Sequence, residues 1–132
     1  MPNRVVHFEI VATDLDRAKK FYTKAFGWKM DQMGQDMGNY TVVMTGDPKE
    51  PGGINGGIFT YSDEMGDRTN AFMCVVAVDD VQQSMKDVTE AGGKTFGEPM
   101  DIPGVGLYAK CQDTEGNFFT LLQPAPEMTP EV

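Results

Sequence analysis

The chain has 132 residues, of which 40% are hydrophobic and 23% are charged, so it is long enough for one domain with a core. Its formal net charge of −9 excludes the basic surface that nucleic acids and anionic membranes attract. No apolar run approaches the roughly 20 residues that a membrane helix needs, and the N-terminal residues lack the pattern of a signal peptide. We therefore expect a cytoplasmic protein with no nucleic-acid or membrane partner.

The first predicted element is the strand VVHFEI at residues 5–10, which carries the only histidine of the sequence. Side chains of a strand alternate between its two faces. His7 and Glu9 therefore share one face, and the apolar side chains Phe8 and Ile10 share the other. Two ionisable groups on one face point either to solvent or into a functional cavity.

A helix is predicted for residues 14–26. Thr13 or Asp14 is a suitable N-cap, and Gly27 is able to adopt the left-handed conformation that ends helices. Apolar residues recur at steps of three and four between these signals, as one buried helix face requires. The predicted buried face comprises Leu15, Ala18, Phe21 or Tyr22, Ala25 and Phe26.

The remaining pattern predicts strands, loops and a second helix. Residues 46–57 are dense in Gly and Pro and predict a loop, for which we put forward the hypothesis of a flap over the cavity. Residues 62–70 are polar and predict a connector. The predicted strands cover residues 39–45, 57–61, 71–78, about 93–102, about 106–114 and 118–124, and the second helix runs from an acidic cap to Gly92. A tight turn is predicted at residues 113–117, with Gly116 at a positive φ.

The two halves of the chain repeat one pattern. At an offset of 66 residues, Leu15 falls on Val81 and Asp14 falls on Asp80, so both helices begin after an acidic cap. This repeat predicts an α+β fold of two tandem βαβββ modules with curved mixed sheets around a cavity. We expect one domain at residues 1–124, with modules at about 4–62 and 70–124, and a flexible tail at residues 125–132.

Several segments together carry a family resemblance: HFEI and TDLDRAKKFYTKAFGW, then GGINGG, then VDDVQQSMKDVTEAGGK and DTEGNFFTLLQP. Over about residues 4–124 the sequence resembles the vicinal oxygen chelate superfamily, which includes glyoxalase I, bleomycin-resistance proteins and extradiol dioxygenases. Within it, the sequence is most similar to small glyoxalase-like proteins related to lactoylglutathione lyase. The resemblance implies the glyoxalase/bleomycin-resistance fold and a homodimer.

The resemblance also implies four positions where metal-dependent members hold a divalent ion. The first falls on His7, its counterpart falls on Met73, and the last-strand positions fall near Ile58 and Thr120. Divalent ions of this class prefer imidazole and carboxylate ligands, and only His7 is of that type. We therefore predict no metal cofactor and disfavour metal-dependent glyoxalase I activity.

Three interpretations of His7 and Glu9 remain open. The pair belongs to a polar core network, or it forms an acid–base or ligand-binding pair in which Glu9 orients His7. The third is a non-standard site in which His7 and Glu9 bind a divalent metal. Its other ligands would be water or carboxylates such as Asp101, Asp113 or Glu115.

Other side chains are candidates for contact with a ligand. The predicted ligand-binding residues are Asn55, Tyr40, Met73, Tyr108 and Thr120. Asn55 lies between glycines that allow close backbone approach, and the tyrosines offer hydroxyl groups. The two cysteines, Cys74 and Cys111, are expected to be buried and reduced.

The preferred function is binding of a small organic molecule in the cavity. If the protein is an enzyme, the expected chemistry is metal-independent proton transfer of the lyase or isomerase kind, with His7 as the base and Glu9 as its orienter. One alternative is a non-catalytic binding or sequestration protein of the resistance type. Another is a metal-dependent lyase or dioxygenase with atypical ligands.

Overall fold

A computed structural model describes residues 3–35, 39–47, 49–60 and 71–126. The chain divides into two compact units. The first unit is His7–Phe72, and the second unit combines Met1–Val6 with Met73–Val132. The elements in chain order are β1 (Arg4–Ala12), α1 (Leu15–Phe26), β2 (Lys29–Gln32), β3 (Thr41–Met44), β4 (Gly56–Thr60), β5 (Phe72–Ala77), α2 (Val81–Glu90), β6 (Lys94–Ile102), β7 (Gly106–Gln112) and β8 (Phe118–Pro124). Within the described ranges, neither helix is long and apolar enough to cross a bilayer.

Both units arrange their strands in the same way. In the first unit β1 pairs in parallel with β4, which is antiparallel to β3, and β3 is antiparallel to β2. In the second unit β5 pairs in parallel with β8, which is antiparallel to β7, and β7 is antiparallel to β6. The α+β fold with two βαβββ units and mixed sheets is therefore confirmed.

The strand β2 is not predicted by the sequence pattern. It covers Lys29–Gln32, pairs with β3 alone among the described strands, and exposes three of its four residues. A short strand at the edge of a sheet needs no apolar alternation, because most of its side chains face water. Its sequence KMDQ therefore carries no strand signal. The predicted connector at residues 62–70 lies outside the described residues.

The helix ends follow the capping signals. The Asp14 carboxylate accepts a hydrogen bond from the Arg17 backbone N–H at 3.0 Å, and Asp80 accepts one from the Gln83 N–H at 3.2 Å. Each cap satisfies a backbone donor that has no partner within the helix. Gly27 ends α1 with φ of 72°, in the left-handed region where a Cβ atom is disfavoured.

The first unit has a core between its sheet and α1. Its buried members are Ile10, Ala12, Val43 and Ile58, and the side chains packed against them are Phe8, Leu15, Ala18, Tyr22, Trp28 and Met30. The buried stripe of α1 is therefore narrower than predicted. Phe26 is 62% exposed and Ala25 is also exposed, so their expected burial is wrong. Of the alternatives Phe21 and Tyr22, Tyr22 packs against the core and Phe21 is 59% exposed.

The second unit builds an equivalent core under α2. Its buried members are Val78, Val81, Ala109, Cys111 and Leu121, joined by Val76, Met85, Val88, Leu107 and Phe119. Burial in this cluster raises the pKa of the Cys111 thiol to about 11, so the thiol is protonated at neutral pH. The expected burial of Cys74 is wrong, because Cys74 lies near the start of β5, outside the cluster that α2 covers, and is exposed.

Candidate functional site

Strand β1 separates an apolar face from a polar one. Phe8 and Ile10 pack into the core against α1. His7 and Glu9 alternate with them and occupy the opposite face of the sheet, as predicted. Both side chains are half-buried rather than fully solvated. The polar pair is therefore held on a structured surface of the first unit.

The hydroxyl group of Tyr40 joins the two ionisable side chains. The Nε2 atom of His7 lies 3.1 Å from the Tyr40 Oη atom, and the Tyr40 hydroxyl donates to Oε2 of Glu9 at 3.2 Å. Tyr40 stands directly before β3, two positions from Val42, so it reaches the same face as His7. We call His7, Tyr40 and Glu9 the relay.

The hydrogen bonds link Glu9 to His7 indirectly. The sequence predicts that Glu9 orients His7, and in the structure hydrogen bonds join His7 to Tyr40 and Tyr40 to Glu9. Glu9 is thus linked to the imidazole through a hydroxyl group. Tyr40, 33 residues from His7 in sequence, is the connecting group.

Gly57 makes room for the Tyr40 ring. Gly57 is the cross-strand partner of Glu9, so a side chain there would project from the same face as the relay. A Cβ atom built on Gly57 would fall inside contact distance of the Tyr40 hydroxyl and ring. The neighbouring Gly56 serves the other face, where a Cβ atom would lie 2.6 Å from the Phe8 ring.

Burial decides the charge of His7. Removal of the imidazole from solvent lowers the pKa of His7 below its ordinary value of 6.5, because the charged form loses hydration. The imidazole is therefore neutral near pH 7 and able to accept a proton. The relay supplies a carboxylate, through Tyr40, for the positive charge that would then form.

Asn55 directly precedes β4, and its side chain is used by the fold. Its side-chain oxygen Oδ1 accepts a hydrogen bond from the Thr45 backbone N–H at 2.8 Å and lies 3.3 Å from the Thr45 hydroxyl. The same hydroxyl donates to the Ile54 carbonyl at 2.6 Å. These contacts close the loop between β3 and β4, as expected of a turn asparagine.

The second unit holds the other predicted residues in matching places. Met73 lies 66 residues after His7, and Thr120 pairs with Val75 as Gly57 pairs with Glu9. Lys110 pairs with Thr120 as Val42 pairs with Gly57. Tyr108 lies two residues before Lys110, and Tyr40 lies two residues before Val42. Tyr108 therefore corresponds to Tyr40. Met73, Tyr108 and Thr120 thus share the face of their sheet that turns away from α2.

Ile58 does not lie on the relay face. It pairs with Ile10 and is fully buried in the core under α1. The residue that corresponds to Thr120 is Gly57, one position earlier, because Gly57 pairs with Glu9 as Thr120 pairs with Val75. A one-residue shift moves a side chain to the opposite face.

The donor set does not fit a divalent metal. The four family positions hold His7, Met73, Gly57 and Thr120, and only the first is an imidazole or carboxylate. In the part of the chain that the structure describes, no three His, Cys, Asp or Glu side chains lie close enough to hold an ion.

The carboxylate of Asp113, one proposed ligand, is engaged in a turn. It accepts hydrogen bonds from the Asn117 side chain at 2.9 Å and from the Glu115 backbone at 2.8 Å. Bonds from the Asn117 side chain and backbone are the main cause that lowers the pKa of Asp113. Gly116 in the same turn has a φ of 86°, as predicted.

A separate open cleft of about 650 Å³ lies where β1 ends and α1 begins. Its wall includes the aromatic side chains of Phe21, Tyr22 and Phe72, together with Arg17 and Asp14. The relay does not line it. Asp14 is already used as the helix cap, and Arg17 is the other charged side chain among the described residues that line the cleft.

The sequence pattern does not predict that Gly57 belongs to the site. Two consecutive glycines inside a strand were the available signal, since glycine in a strand marks close approach by another group. The sequence could not say which group approaches, because Tyr40 is brought there by the register of β3 on β4.

Comparison with known proteins gives the family. A family model described as bleomycin resistance protein-like N-terminal matches residues 4–46. A glyoxylase-like domain-containing protein of Didymella fabae is 32% identical over 112 residues, which are 83% of this chain and 84% of that protein. CFP32 of Mycobacterium tuberculosis, whose name places it among the glyoxylases, is 33% identical over 120 residues, or 90% of this chain. The chain spans 43% of the length of CFP32.

Solved structures agree on the fold. A variant of Streptomyces coelicolor methylmalonyl-CoA epimerase in complex with 2-nitronate-propionyl-CoA matches with a TM-score of 0.68. The identity is 17%, over 98% of this chain and 100% of that one. The fold and the relatives together define the class: the chain belongs to the vicinal oxygen chelate superfamily. Within that superfamily it is a glyoxalase-like protein.

Proposed function

We propose that this protein binds a small organic molecule at the relay face of the first unit and that His7 accepts a proton from it. The relay is the observation that carries this proposal. It combines a half-buried neutral imidazole with a carboxylate that reaches it through Tyr40. A base of this kind is unprotonated at neutral pH and can accept a proton from a bound ligand, and the carboxylate stabilises the resulting imidazolium.

The substrate class follows from what such a base can do. A neutral imidazole removes a proton from carbon only where a neighbouring carbonyl group stabilises the carbanion. A carbonyl compound such as a thioester or a thiol adduct meets this requirement. Neighbouring proteins named as methylmalonyl-CoA epimerase and lactoylglutathione lyase point to the same class of compound. The chemistry is then lyase- or isomerase-like proton transfer, with no step assigned to a metal.

Isotope exchange tests the proposal directly. Methylmalonyl-CoA and S-lactoylglutathione are incubated separately with the protein in deuterated water, and deuterium at the carbon next to the carbonyl is measured by mass spectrometry. We expect exchange with at least one compound, slowed about 100-fold or more in His7→Gln. Binding of one or both compounds with exchange of neither would contradict the catalytic part. Absence of binding to both would contradict this substrate class.

A second function is a binding protein that sequesters its ligand. The match of residues 4–46 to a bleomycin resistance protein-like family favours it. The matched segment includes β1 and α1 and therefore His7 and Glu9. In this case bleomycin binds without being changed, and His7→Gln alters its affinity only. Calorimetric titration with bleomycin, followed by mass spectrometry of the recovered compound, separates the two functions.

Assembly as a homodimer is part of this proposal. Phe21, Phe26 and Phe72 are 59%, 62% and 57% exposed, and their rings join a cluster around Tyr22. Exposed aromatic side chains of this number on one unit provide an apolar surface that a second copy would cover. Light scattering after size exclusion should give the mass of two chains. A single-chain mass at every concentration would contradict it.

A further inference from the structure

We infer that Tyr40 is a positioning residue that fixes the tautomer of His7, so that Nδ1 is the atom that meets the ligand. This inference rests on the proposed function and names the reacting atom and the residues that present it. It starts from a count of protons. The single Tyr40 hydroxyl proton is donated to Oε2 of Glu9, so the oxygen of Tyr40 is left to accept.

The acceptor role of Tyr40 settles which nitrogen of His7 carries the proton. The Nε2 atom lies 3.1 Å from the Tyr40 oxygen, and this contact is a hydrogen bond only if Nε2 donates. A neutral imidazole has one N–H group and one bare nitrogen. With the proton on Nε2, the lone pair is on Nδ1.

The environment of Nδ1 agrees with this assignment. Among the described residues, the only hydrogen bond of the His7 ring is the one at Nε2. No buried side-chain nitrogen or oxygen in those same ranges lacks a partner. Nδ1 is therefore accessible rather than sealed in the protein, and it is open to a ligand that brings a proton donor.

Gly57 holds this arrangement in place. The Tyr40 ring occupies the space that a Cβ atom of Gly57 would fill, and no other residue type leaves that space empty. The glycine thus acts on His7 through Tyr40. The same argument defines the ligand chemically: its proton-donating group, an acidic C–H, N–H or O–H, faces Nδ1.

The single histidine of the sequence makes the test direct, because every imidazole signal belongs to His7. The protein is labelled with ¹⁵N, and long-range ¹H–¹⁵N correlation spectra are recorded near pH 7 without ligand. We expect an unprotonated Nδ1 and a proton on Nε2 that exchanges slowly with water. A proton on Nδ1 would overturn the inference.

Two variants separate positioning from simple structure. Tyr40→Phe keeps the ring over Gly57 but removes the hydroxyl, and Gly57→Ala displaces the ring. We expect both to lose the slowly exchanging Nε2 proton, while Gly46→Ala, which adds a methyl group to open space, keeps it. Retention of that proton in Tyr40→Phe, with a folded backbone spectrum, would also overturn the inference.

The test is independent of the proposed function. The tautomer is measured without ligand and without turnover. Absence of deuterium exchange would refute proton transfer and leave the tautomer assignment standing. The wrong tautomer would refute the role of Tyr40 and leave ligand binding intact.

Discussion

The two units share a topology, yet their sheet faces away from the helices differ in chemistry. The first unit presents His7 and Glu9 there, bridged by Tyr40 over Gly57. At the matching places the second unit has Met73, Val75, Tyr108 and Thr120. The tyrosine is present in both units. The histidine, the carboxylate and the glycine that admits the ring are present in only one.

The helix-side faces differ far less. Both pack an aliphatic cluster under a helix that starts after an aspartate cap. The comparison teaches that the repeat is maintained by the core and the caps, because they stabilise each unit. The opposite faces of the two units carry different side chains, and a linked imidazole and carboxylate are present only on the described face of the first unit.

The largest expected effect concerns the shared cores. Ile58 pairs with Ile10, and Leu121 pairs with Val76, so the two residues hold matching places. We expect Ile58→Ala and Leu121→Ala each to lower the free energy of unfolding by about 2–5 kcal/mol, because each leaves a cavity. Urea denaturation measures this. Val5→Ala, at a position 47% exposed, is the control. If the substitution in one unit alone lowered the free energy of unfolding by less than about 1 kcal/mol, the two cores would not be equivalent.

The next effect tests the face on which the units differ. Gly57→Ala should lower the free energy of unfolding by about 1–3 kcal/mol, because the added methyl group forces the Tyr40 ring to move. Gly46→Ala adds the same group where nothing lies within 4 Å, and should change stability by about 0.5 kcal/mol or less. If thermal denaturation showed equal effects of the two substitutions, Gly57 would not be needed to make room for the Tyr40 ring.

The helix caps should respond alike in both units. Asp14→Ala and Asp80→Ala each remove the acceptor for one backbone N–H group. We expect each to cost about 1 kcal/mol in unfolding free energy, and Asn at the same positions to restore most of it. Chemical denaturation of the four variants is the measurement. A cap that matters in one unit only would show that the repeat is not maintained in the same way.

The smallest effect is the pH dependence contributed by His7. Its pKa is lowered in the native state, so below the ordinary value of 6.5 the unfolded chain binds a proton that the native site does not. This contribution to stability is complete above 6.5 and decreases as the pH falls. The other titrating groups are common to both proteins, so wild type is compared with His7→Gln. Wild type should lose more stability between pH 7 and pH 5; parallel curves would contradict the burial of the imidazole.

Much of this fold can be predicted from the sequence because the signals for its elements are local. The aspartate caps, the turn glycines Gly27 and Gly116, and the strand at residues 118–124 each follow from neighbouring residues. The edge strand β2 was missed because a mostly exposed strand needs no apolar pattern. The exposure of Phe21 and Phe26 was missed because periodicity gives a stripe but not its width.

The site was predictable only in part for a different physical reason. The shared face of His7 and Glu9 follows from the alternation of a single strand. The bridge through Tyr40 and the space over Gly57 depend on how β3 and β4 align. The offset of the last strands differs from that of the first by three residues, from 66 to 63, which no local pattern reveals.

The adjacent glycines of β4 have a consequence for how this protein can change. Gly56 leaves room for a core ring on one side of the strand, and Gly57 leaves room for Tyr40 on the other. A side chain at the first position is limited by core packing alone. A side chain at the second position is limited both by the space that the Tyr40 ring needs and by the chemistry proposed for the relay. A library randomised at both positions would therefore select for folding at Gly56 and for folding and function together at Gly57.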